Sequence, residues 1–305
     1  MSLGRPAMDS FFASLPGSPG PASSLQQVAA SSSPVLILGE PGTGRSTFAR
    51  RIHAAGARAA APLVELDPAA IPAALFESEL FGFRAGAFTG AERSQAGRVA
   101  RAEGGTLVLD HVEELPLSSQ PKLLRLLAER RYAPLGGSEA VADVRFVAIG
   151  AHDLVSRVER GLFRPDLYFR LEVLTFILPP LRERAAELEE IVAAMVLDLG
   201  ERFARPGLDL TPRAWTWMKH HGWPGNLRQL RNLLERALLL ADGPLLDPPP
   251  PVESGSGAPI SIGEAERRAI VAALDSSRGH QGKAAALLGI SRKGLWEKRK
   301  RLGIP

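Results

Sequence analysis

Residues 35–46, VLILGEPGTGRS, contain the residue types that a phosphate-binding loop requires. A short apolar run is followed by a glycine-rich turn and a predicted helix, and Gly39, Gly44 and Ser46 fill the spacing G-x-x-x-x-G-x-S. Such a loop points backbone N–H groups at phosphate oxygens, and the helix N-terminus adds its positive dipole end. Arg45 stands where the motif has lysine. The predicted nucleotide contacts are Gly39, Glu40, Pro41, Gly42, Thr43, Gly44, Arg45, Ser46 and Thr47.

A second candidate residue, Asp110, ends the predicted strand GTLVLD. A nucleoside triphosphate site built on a P-loop needs an acidic residue of this kind to hold Mg²⁺, together with the hydroxyl that ends the loop motif. A strand that ends in aspartate is commonplace by itself. Its combination with the loop predicts a site for ATP and Mg²⁺, with Ser46 and Asp110 as metal ligands.

The elements that must position these residues alternate between strands and helices over residues 34–180. Further strands are predicted at 63–66, 105–110, 144–150 and 173–178, a helix at 116–131, and a loop at 84–95. This alternation predicts an α/β fold, with a parallel sheet flanked by helices on both faces.

The remaining segments differ in composition. Residues 1–33 are rich in Ser, Pro, Gly and Ala and are expected to form a flexible lead-in, with no room for a sensor domain. Residues 181–246 are predicted to form a helical subdomain, 247–259 a linker of Pro, Ser and Gly, and 260–305 a small all-α domain.

Composition and charge narrow the classes of function. The chain of 305 residues has no cysteine, and its six histidines show no metal-binding spacing. No apolar run approaches the roughly 20 residues that span a bilayer, and no signal pattern opens the chain, so we expect a cytoplasmic protein without a membrane partner. Residues 260–305 carry 10 Lys and Arg against 4 Asp and Glu, whereas the whole chain has a net charge of +4. This basic block indicates contact with nucleic acid; a solvated basic tail is the alternative.

Several longer segments together are specific to one family. They are ESELFGFRAGAFTGAERSQAG, GGTLVLDHVEELP, GLFRPDLYFRL, LPPLRER and GWPGNLRQLRNLLERAL. In this order they resemble the AAA+ domain of bacterial sigma-54-dependent transcription activators, over residues 35–240. The resemblance implies an AAA+ P-loop sheet with a helical lid, ATP and Mg²⁺ as ligands, sigma-54 RNA polymerase as a partner, and assembly into a homo-oligomer, a hexameric ring in the family.

The hexapeptide GAFTGA is the most specific of these signatures. In the family this loop contacts sigma-54 and couples ATP hydrolysis to the opening of promoter DNA. Glycines at both ends permit a hinged movement, and an exposed phenylalanine would be an apolar knob for a partner; a buried one is the alternative. The residues implied are Gly86, Ala87, Phe88, Thr89, Gly90 and Ala91.

Three arginines correspond to family positions that contact nucleotide. The segment FRPDLYFR resembles the one that supplies arginine fingers to the γ-phosphate of a neighbouring subunit, which implies Arg164 and Arg170. Arg228 lies where the family has the arginine of the lid that contacts the nucleotide. A planar guanidinium suits these roles because its fork matches phosphate oxygens.

Four positions depart from the family pattern around one γ-phosphate. Arg45 replaces the P-loop lysine, and His111 replaces the glutamate that activates water beside Asp110. Asp67 stands at the position of the asparagine that holds this glutamate, and Ala151 at that of an asparagine that senses the γ-phosphate. We therefore expect retained nucleotide binding with weak or absent hydrolysis. Another base remains an alternative: His111 itself, Asp67, or Glu113 and Glu114.

The C-terminal block resembles the Fis-type helix-turn-helix that ends many of these activators, and implies double-stranded DNA as a partner. The recognition helix is predicted over 291–302. Arg292 and Lys293 should face base edges, Arg299 and Arg301 should meet phosphates, and Trp296 is either core or a backbone contact. The predicted DNA contacts are Ser291, Arg292, Lys293, Trp296, Arg299 and Arg301.

Two classes of function follow. The first is an enzyme, an AAA+ activator that hydrolyses ATP to remodel sigma-54 RNA polymerase, which the hexapeptide and the arginines favour. The second is a DNA-binding regulator with a decayed ATPase module, which the four altered positions favour. It would act by competition for sites or in mixed rings with an active paralogue, where its arginines could still serve a neighbour's nucleotide.

Overall fold

A computed structural model describes residues 23–250 and, towards the C-terminus, residues 270–271, 274, 277, 280–287 and 292–301. The chain divides into two compact units, Met1–Pro250 and Pro251–Pro305. No helix in these described ranges is both long and apolar enough to cross a membrane.

The first unit is built on a five-stranded parallel sheet in the order β2-β5-β8-β1-β9. Its strands are Val35–Gly39 (β1), Leu63–Leu66 (β2), Thr106–Leu109 (β5), Arg145–Gly150 (β8) and Leu174–Leu178 (β9). Three of them, β1, β5 and β8, are buried along their whole length. Central strands of a parallel sheet read as continuous apolar runs because helices cover both faces, and this explains why the sequence pattern located them.

Helices cover the two faces of the sheet, and small hairpins extend from it. The helices before the lid are Ser23–Ala30 (α1), Arg45–Ala54 (α2), Ala73–Phe81 (α3), Arg98–Arg101 (α4), Gln120–Glu129 (α5), Leu154–Glu159 (α6) and Pro165–Leu171 (α7). Gly82–Phe83 (β3) pairs with Gln95–Ala96 (β4), and Arg131–Tyr132 (β6) with Ala140–Val141 (β7). Short 3-10 helices are Pro68–Ala70, Val112–Glu114 and Leu181–Glu187.

The lid follows as a helical layer with one small two-stranded element. Its helices are Leu188–Arg202 (α8), Pro212–Met218 (α9) and Asn226–Leu240 (α10), and Asp209–Leu210 (β10) pairs in parallel with Leu245–Leu246 (β11). One apolar core joins the lid to the face of the sheet formed by Val35 and Ile37, while Leu36 and Leu38 belong to the core of the opposite face. The predicted fold class, a parallel α/β sheet flanked by helices and followed by a helical layer, is confirmed.

Helix α1 lies within the stretch that we expected to be a flexible lead-in. Val28 and Ala29 are buried, and the backbone carbonyls of both accept hydrogen bonds from the Arg145 guanidinium at 2.6 and 2.7 Å. A cation at the C-terminal end of a helix satisfies carbonyls that have no partner within the helix. This docking to the first residue of β8 explains the difference from the expectation.

The second unit contains the helices Gln281–Leu287 (α11) and Arg292–Arg301 (α12). Leu295 is buried against Ile270, Ala284 and Ala285. Helix α12 occupies the predicted recognition-helix region, whose first residue, Ser291, lies outside the described residues. Trp296 is 56% exposed, which excludes the core alternative for its side chain.

Candidate functional site

The parallel sheet brings its carboxyl ends to one edge, and the predicted site residues lie there. β1 ends at Gly39, β8 at Gly150, and Asp67 and Asp110 follow β2 and β5. The register of β2 and β5 pairs Leu66 with Leu109, and the Asp110 N–H donates to the Leu66 carbonyl at 2.9 Å. Asp67 and Asp110 are therefore neighbours, although they are far apart in sequence.

The glycine-rich loop connects β1 to α2 and contacts the lid. Gly42 and Gly44 have φ values of 85° and 98°, which side-chain-bearing residues rarely adopt. A Cβ at Gly42 would lie 2.3 Å from the Gly225 carbonyl oxygen, so only glycine allows the lid this close to the loop. The Arg228 N–H also donates to the Gly42 carbonyl at 3.3 Å.

Two other loop residues are held by the lid. Arg182 forms a two-pronged ion pair with Glu40, and the Asn226 side-chain amide donates to Glu40 and to the Pro41 carbonyl at 3.2 and 3.1 Å. The hydrogen bond from Arg182 is the main reason why the pKa of Glu40 is lowered. Glu40 and Pro41 were predicted as nucleotide contacts, but their visible contacts are with the lid.

A cavity of about 420 Å³ lies between the loop, the end of β5 and the lid. It brings together eight of the predicted nucleotide-site residues: Gly42, Gly44, Arg45, Ser46, Thr47, Asp110, His111 and Arg228. Gly39, Glu40, Pro41 and Thr43 are not part of its lining, and the Thr43 hydroxyl instead donates to the Glu40 carbonyl at 2.8 Å.

The Arg45 side chain is buried, with 6% of its surface exposed. Its Nη1 donates to the Gly39 carbonyl at 2.9 Å and to the Gly150 carbonyl. Burial lowers the pKa of Arg45, and the nearby carboxylates of Asp110 and Glu113 oppose this shift. The guanidinium thus connects the ends of β1 and β8, whereas the lysine of a P-loop reaches the β- and γ-phosphates.

Ser46 and Asp110 form an oxygen pair at the floor of the cavity. The Ser46 hydroxyl donates to Oδ2 of Asp110 at 3.0 Å. Mg²⁺ prefers oxygen ligands and is commonly held by one or two protein groups, with water and phosphate completing its shell. The two side chains therefore fit this ion. No cluster of three or more His, Asp or Glu able to hold a metal occurs among the described residues.

His111 and Asp67, two of the four altered positions, contact each other. Nδ1 of His111 lies 3.0 Å from Oδ1 of Asp67 and 3.8 Å from Oδ1 of Asp110. The backbone of His111 is left-handed, with φ 51°, and its N–H donates to Oδ1 of Asp110 at 3.0 Å. The pair thus lies beside Asp110, at the carboxyl ends of β2 and β5.

Ala151 directly follows β8, and Glu113 and Glu114, the two glutamates considered as alternative bases, lie near it. The Ala151 N–H donates to Oε2 of the buried Glu113 at 3.1 Å. Glu114 forms an ion pair with Arg157 at 2.9 Å. Neither glutamate is part of the cavity lining, and Ala151 has no polar side chain to present there.

The two predicted finger arginines lie on the surface, outside this cavity. Arg164 and Arg170 are exposed at the start and near the end of α7. Arg164 forms an ion pair with Asp166 at 2.7 Å, and Arg170 donates to the Leu127 carbonyl at 3.2 Å. Phe169 between them is 68% exposed.

The hexapeptide GAFTGA forms the loop between β3 and β4, as predicted. The ring of Phe88 is 43% exposed and lies 5.0 Å from the ring of Phe83, centroid to centroid. Gly86 and Gly90 have φ values of 80° and 96° in open space, and Ala91 is buried. Ala87 lies close to Gly136 of the loop between β6 and β7, while Thr89 is exposed.

The predicted DNA contacts can be described only in part. Arg292 is exposed at the start of α12, whereas Arg299 is half-buried. The side chains of Lys293 and Arg301, like the whole of Ser291, lie outside what the structure describes.

Three arginines that the sequence patterns did not identify also line the cavity: Arg50, Arg202 and Arg231. Arg231 follows Arg228 by three residues on α10, so helical spacing could have identified it. Arg50 forms an ion pair with Glu65 at 2.6 Å. No local sequence signal marks Arg202, because only the packing of the lid brings the end of α8 to this cavity.

Comparison with protein families accounts for most of the chain in three consecutive segments. Residues 20–177 match the sigma-54 interaction domain, 182–249 the AAA+ ATPase lid domain, and 261–302 the Fis family of bacterial regulatory proteins.

Three similar proteins illustrate the relationship. The regulatory protein AtoC of Escherichia coli is 38% identical over 91% of this chain. The transcriptional regulatory protein ZraR of Klebsiella oxytoca is 39% identical over 89%, and the alginate biosynthesis transcriptional regulatory protein AlgB of Pseudomonas aeruginosa 41% identical over 92%. The aligned part is 64% of the length of each of these proteins.

Solved structures of NtrX from Brucella abortus are also similar, at 30% identity. The complex of NtrX with ATP superposes with a TM-score of 0.71 over 99% of this chain and 69% of that one. The complex with ADP gives 0.68 over 92% and 67%.

Proposed function

The chain belongs to the sigma-54 interaction family of AAA+ proteins, and from this premise we propose that it is a sigma-54-dependent transcription regulator with impaired ATP hydrolysis. It binds DNA through its C-terminal helix-turn-helix and contacts sigma-54 RNA polymerase through the GAFTGA loop. It works in the cytoplasm, where these partners and ATP occur.

Nucleotide binding is supported by the geometry of the loop and the lid. The cavity joins the loop, Asp110 and Arg228, and its volume of about 420 Å³ is in the range of small-molecule sites. Ser46 and Asp110 would hold Mg²⁺, which would neutralise phosphate charge. The related protein NtrX was solved with ATP and with ADP.

The placement of Arg45 carries the proposal of impaired hydrolysis. Its buried guanidinium donates to the Gly39 and Gly150 carbonyls, so its charge is committed to the ends of β1 and β8. Arginine presents a planar fork rather than the compact ammonium of lysine. Ala151 in addition lacks the amide that would contact the γ-phosphate. The site therefore keeps the glycine-rich loop that binds phosphates and lacks side chains that act on the transferred phosphoryl group.

The water-activating position supports the same conclusion. The family has a glutamate where this chain has His111, and the imidazole is hydrogen-bonded to Asp67. The residue that follows Asp110 therefore presents an imidazole, engaged by Asp67, in place of the carboxylate that would deprotonate a water. We therefore assign the Asp67–His111 pair to the structure of the site.

Contact with sigma-54 is supported by the half-exposed Phe88. The ring leans on Phe83, and positive φ values at Gly86 and Gly90 allow the loop a conformation that other residues resist. An apolar ring at the tip of a glycine-hinged loop is suited to insertion into a partner. We assign residues 86–91 to this contact.

DNA binding is supported by the basic charge of the last 46 residues and by helix α12. An exposed Arg292 at the start of this helix is suited to base contacts in the major groove, as the N-terminal residues of a recognition helix are. Ser291, Lys293, Trp296, Arg299 and Arg301 complete the proposed DNA contacts.

A second candidate function follows from the exposure of Arg164 and Arg170. Arg164 immediately precedes α7 and Arg170 lies on it, both exposed and outside the chain's own cavity, where the nucleotide of an adjacent subunit could reach them. In a mixed ring with an active paralogue they would act as arginine fingers although this chain's own site is inactive. A homo-oligomeric ring would lack any active site.

The test is to compare ATP binding and ATP turnover in the chain and in a restored form. The restored form carries Arg45→Lys, His111→Glu, Ala151→Asn and also Asp67→Asn. The last change is needed because a glutamate facing Asp67 at the position of His111 would place two carboxylates in contact, which raises the pKa of one of them.

We expect both proteins to bind ATP in the presence of Mg²⁺ and only the restored form to hydrolyse it. Failure of the unaltered chain to bind ATP would refute the nucleotide site. Turnover by the unaltered chain that disappears in His111→Ala would refute impaired hydrolysis and identify the Asp67–His111 pair as the base. The mixed ring is tested by adding the chain to an active paralogue and measuring ATP turnover. A rise in turnover with the unaltered chain, but not with the Arg164→Ala variant, would favour the mixed ring.

A further inference from the structure

Arg202 ends helix α8 of the lid and faces the same cavity as the phosphate-binding loop. Met195, seven residues earlier on this helix, also lines the cavity, so one face of α8 is turned towards it. Neither residue belongs to a sequence motif.

The cavity is unusually rich in arginine. Five arginines line it, Arg45, Arg50, Arg202, Arg228 and Arg231, against a single carboxylate, that of Asp110. Arg45 is buried and Arg231 partly buried, whereas Arg50, Arg202 and Arg228 are exposed, so water screens part of their mutual repulsion and an anion in the cavity would reduce it further. The lining as a whole is therefore positively charged and suits a ligand with negative charge.

Three of the five are already compensated within the protein. Arg45 donates to backbone carbonyls, Arg50 pairs with Glu65 at 2.6 Å, and Arg231 pairs with Asp198 at 2.6 Å. Asp198 and Arg202 are four residues apart on α8, so the carboxylate nearest to Arg202 on this helix face is already engaged.

Arg202 and Arg228 are different. Among the residues that the structure describes, neither forms an ion pair, and the contact seen for the Arg202 guanidinium is with the ring of Phe203, at 5.7 Å. They approach the cavity from two lid helices, α8 and α10. Two cations without carboxylate partners thus face the loop from the lid side.

From this arrangement we propose that Arg202 is a second lid arginine that binds the phosphates of the nucleotide, beside Arg228. It supplies positive charge that the loop has lost, because the cation of Arg45 is committed to the Gly39 and Gly150 carbonyls. The inference rests on the proposed nucleotide site and specifies its ligand class as a nucleoside di- or triphosphate.

The role makes a prediction that depends on the number of phosphates. A cation that binds phosphate contributes more to ATP than to ADP and nothing to adenosine, whereas a residue that shapes the cavity would affect all three. A guanidinium–phosphate contact at a partly exposed site is worth about a factor of ten in affinity.

The experiment measures dissociation constants of ATP, ADP and adenosine, with Mg²⁺ for the nucleotides, for the full chain and three variants. They are Arg202→Ala, Arg202→Lys and, as the matched control, Arg213→Ala. Arg213 lies on lid helix α9 with an 81% exposed side chain, so its removal changes the charge of the lid equally. Thermal unfolding without ligand checks that each variant is folded.

We expect Arg202→Ala to bind ATP about tenfold more weakly, ADP less so, and adenosine unchanged, with partial recovery in Arg202→Lys. Arg213→Ala should match the unaltered chain. Equal ATP affinity in Arg202→Ala and the unaltered chain would overturn the inference and leave the proposed nucleotide site intact, as would equal losses for ATP and adenosine. An unaltered chain that binds none of the three ligands would overturn both.

Discussion

Replacing Arg45 by alanine tests whether this residue serves the fold or the phosphates. In the structure its guanidinium satisfies two backbone carbonyls, those of Gly39 and Gly150, from a position with 6% exposure. If this is its main role, Arg45→Ala should destabilise the protein without nucleotide and have a smaller effect on ATP affinity.

The magnitude follows from the two hydrogen bonds that the substitution removes. Leaving a buried carbonyl without a partner costs about 1–3 kcal/mol, and two are affected, while relief from burying a cation offsets part of this. We expect a loss of about 2–4 kcal/mol in the free energy of unfolding. For a domain of this size that corresponds to a melting temperature roughly 5–15 °C lower.

The assay is urea and thermal unfolding of the two proteins without nucleotide, followed by ATP titration at a temperature where both are folded. Arg50→Ala is the control for stability, because this arginine lies on the same helix in an exposed ion pair with Glu65. Such pairs contribute less than about 1 kcal/mol.

Unchanged stability together with a hundredfold loss of ATP affinity would refute the reasoning. It would mean that the guanidinium leaves the carbonyls and acts on the phosphates as the family lysine does. Arg45→Lys discriminates further, since a shorter ammonium should lose some stability and gain contact with phosphate.

Three further predictions concern the loop, the DNA-binding helix and a buried histidine. Phe88→Ala should abolish binding to sigma-54 in a pull-down and leave ATP affinity and melting temperature unchanged, since Phe88 is 43% exposed. Retained binding would show that the ring is not the contact. Arg292→Ala should relax base preference, whereas Arg301→Ala should weaken binding to all sequences evenly in gel-shift titrations, and equal effects of both on every sequence would contradict the placement of the helix. The pKa of His53, buried beside Thr106, is lowered from 6.5 chiefly by burial. The unfolded chain therefore binds a proton there that the folded chain rejects, and the free energy of unfolding should fall as the pH drops through 6.5. His53→Gln should reduce the dependence of this free energy on pH, measured by urea unfolding between pH 7.5 and 5.5. An unchanged pH dependence would contradict the assignment.

The strands of the sheet could be predicted from the sequence because each central strand is buried on both faces and is therefore a continuous apolar run. The predicted strands at 63–66, 105–110, 144–150 and 173–178 are observed within a residue of those bounds. Helix α1 was missed because its short sequence, SSLQQVAA, is flanked by Pro, Gly and Ser, and its stability depends on Arg145, more than 100 residues away.

The composition of the site was predictable, but its contacts were not. The P-loop pattern identified Gly39, Gly44 and Ser46, of which Gly44 and Ser46 line the cavity, and the strand ending identified Asp110. The direction of the Arg45 side chain could not be predicted, because one of the carbonyls that accept its hydrogen bonds, that of Gly150, is 105 residues away in sequence. Long-range acceptors of this kind leave no local pattern.

The contact between Asp67 and His111 is a consequence of strand register. Asp67 and His111 are 44 residues apart in sequence, and their contact follows from the alignment of Leu66 with Leu109 in adjacent strands. Strand order and register are set by the packing of the whole sheet. Contacts between residues on different strands therefore cannot be predicted before the fold is known.

A single-turnover experiment tests the central claim most directly, that the chain holds ATP without hydrolysing it. The protein, in excess over labelled ATP, is incubated with Mg²⁺, and samples are quenched over time and separated into ATP and ADP. Filter binding in parallel measures the bound fraction. We predict that the label is bound and remains ATP throughout the incubation. Bound label that converts to ADP with a measurable rate constant would contradict the account.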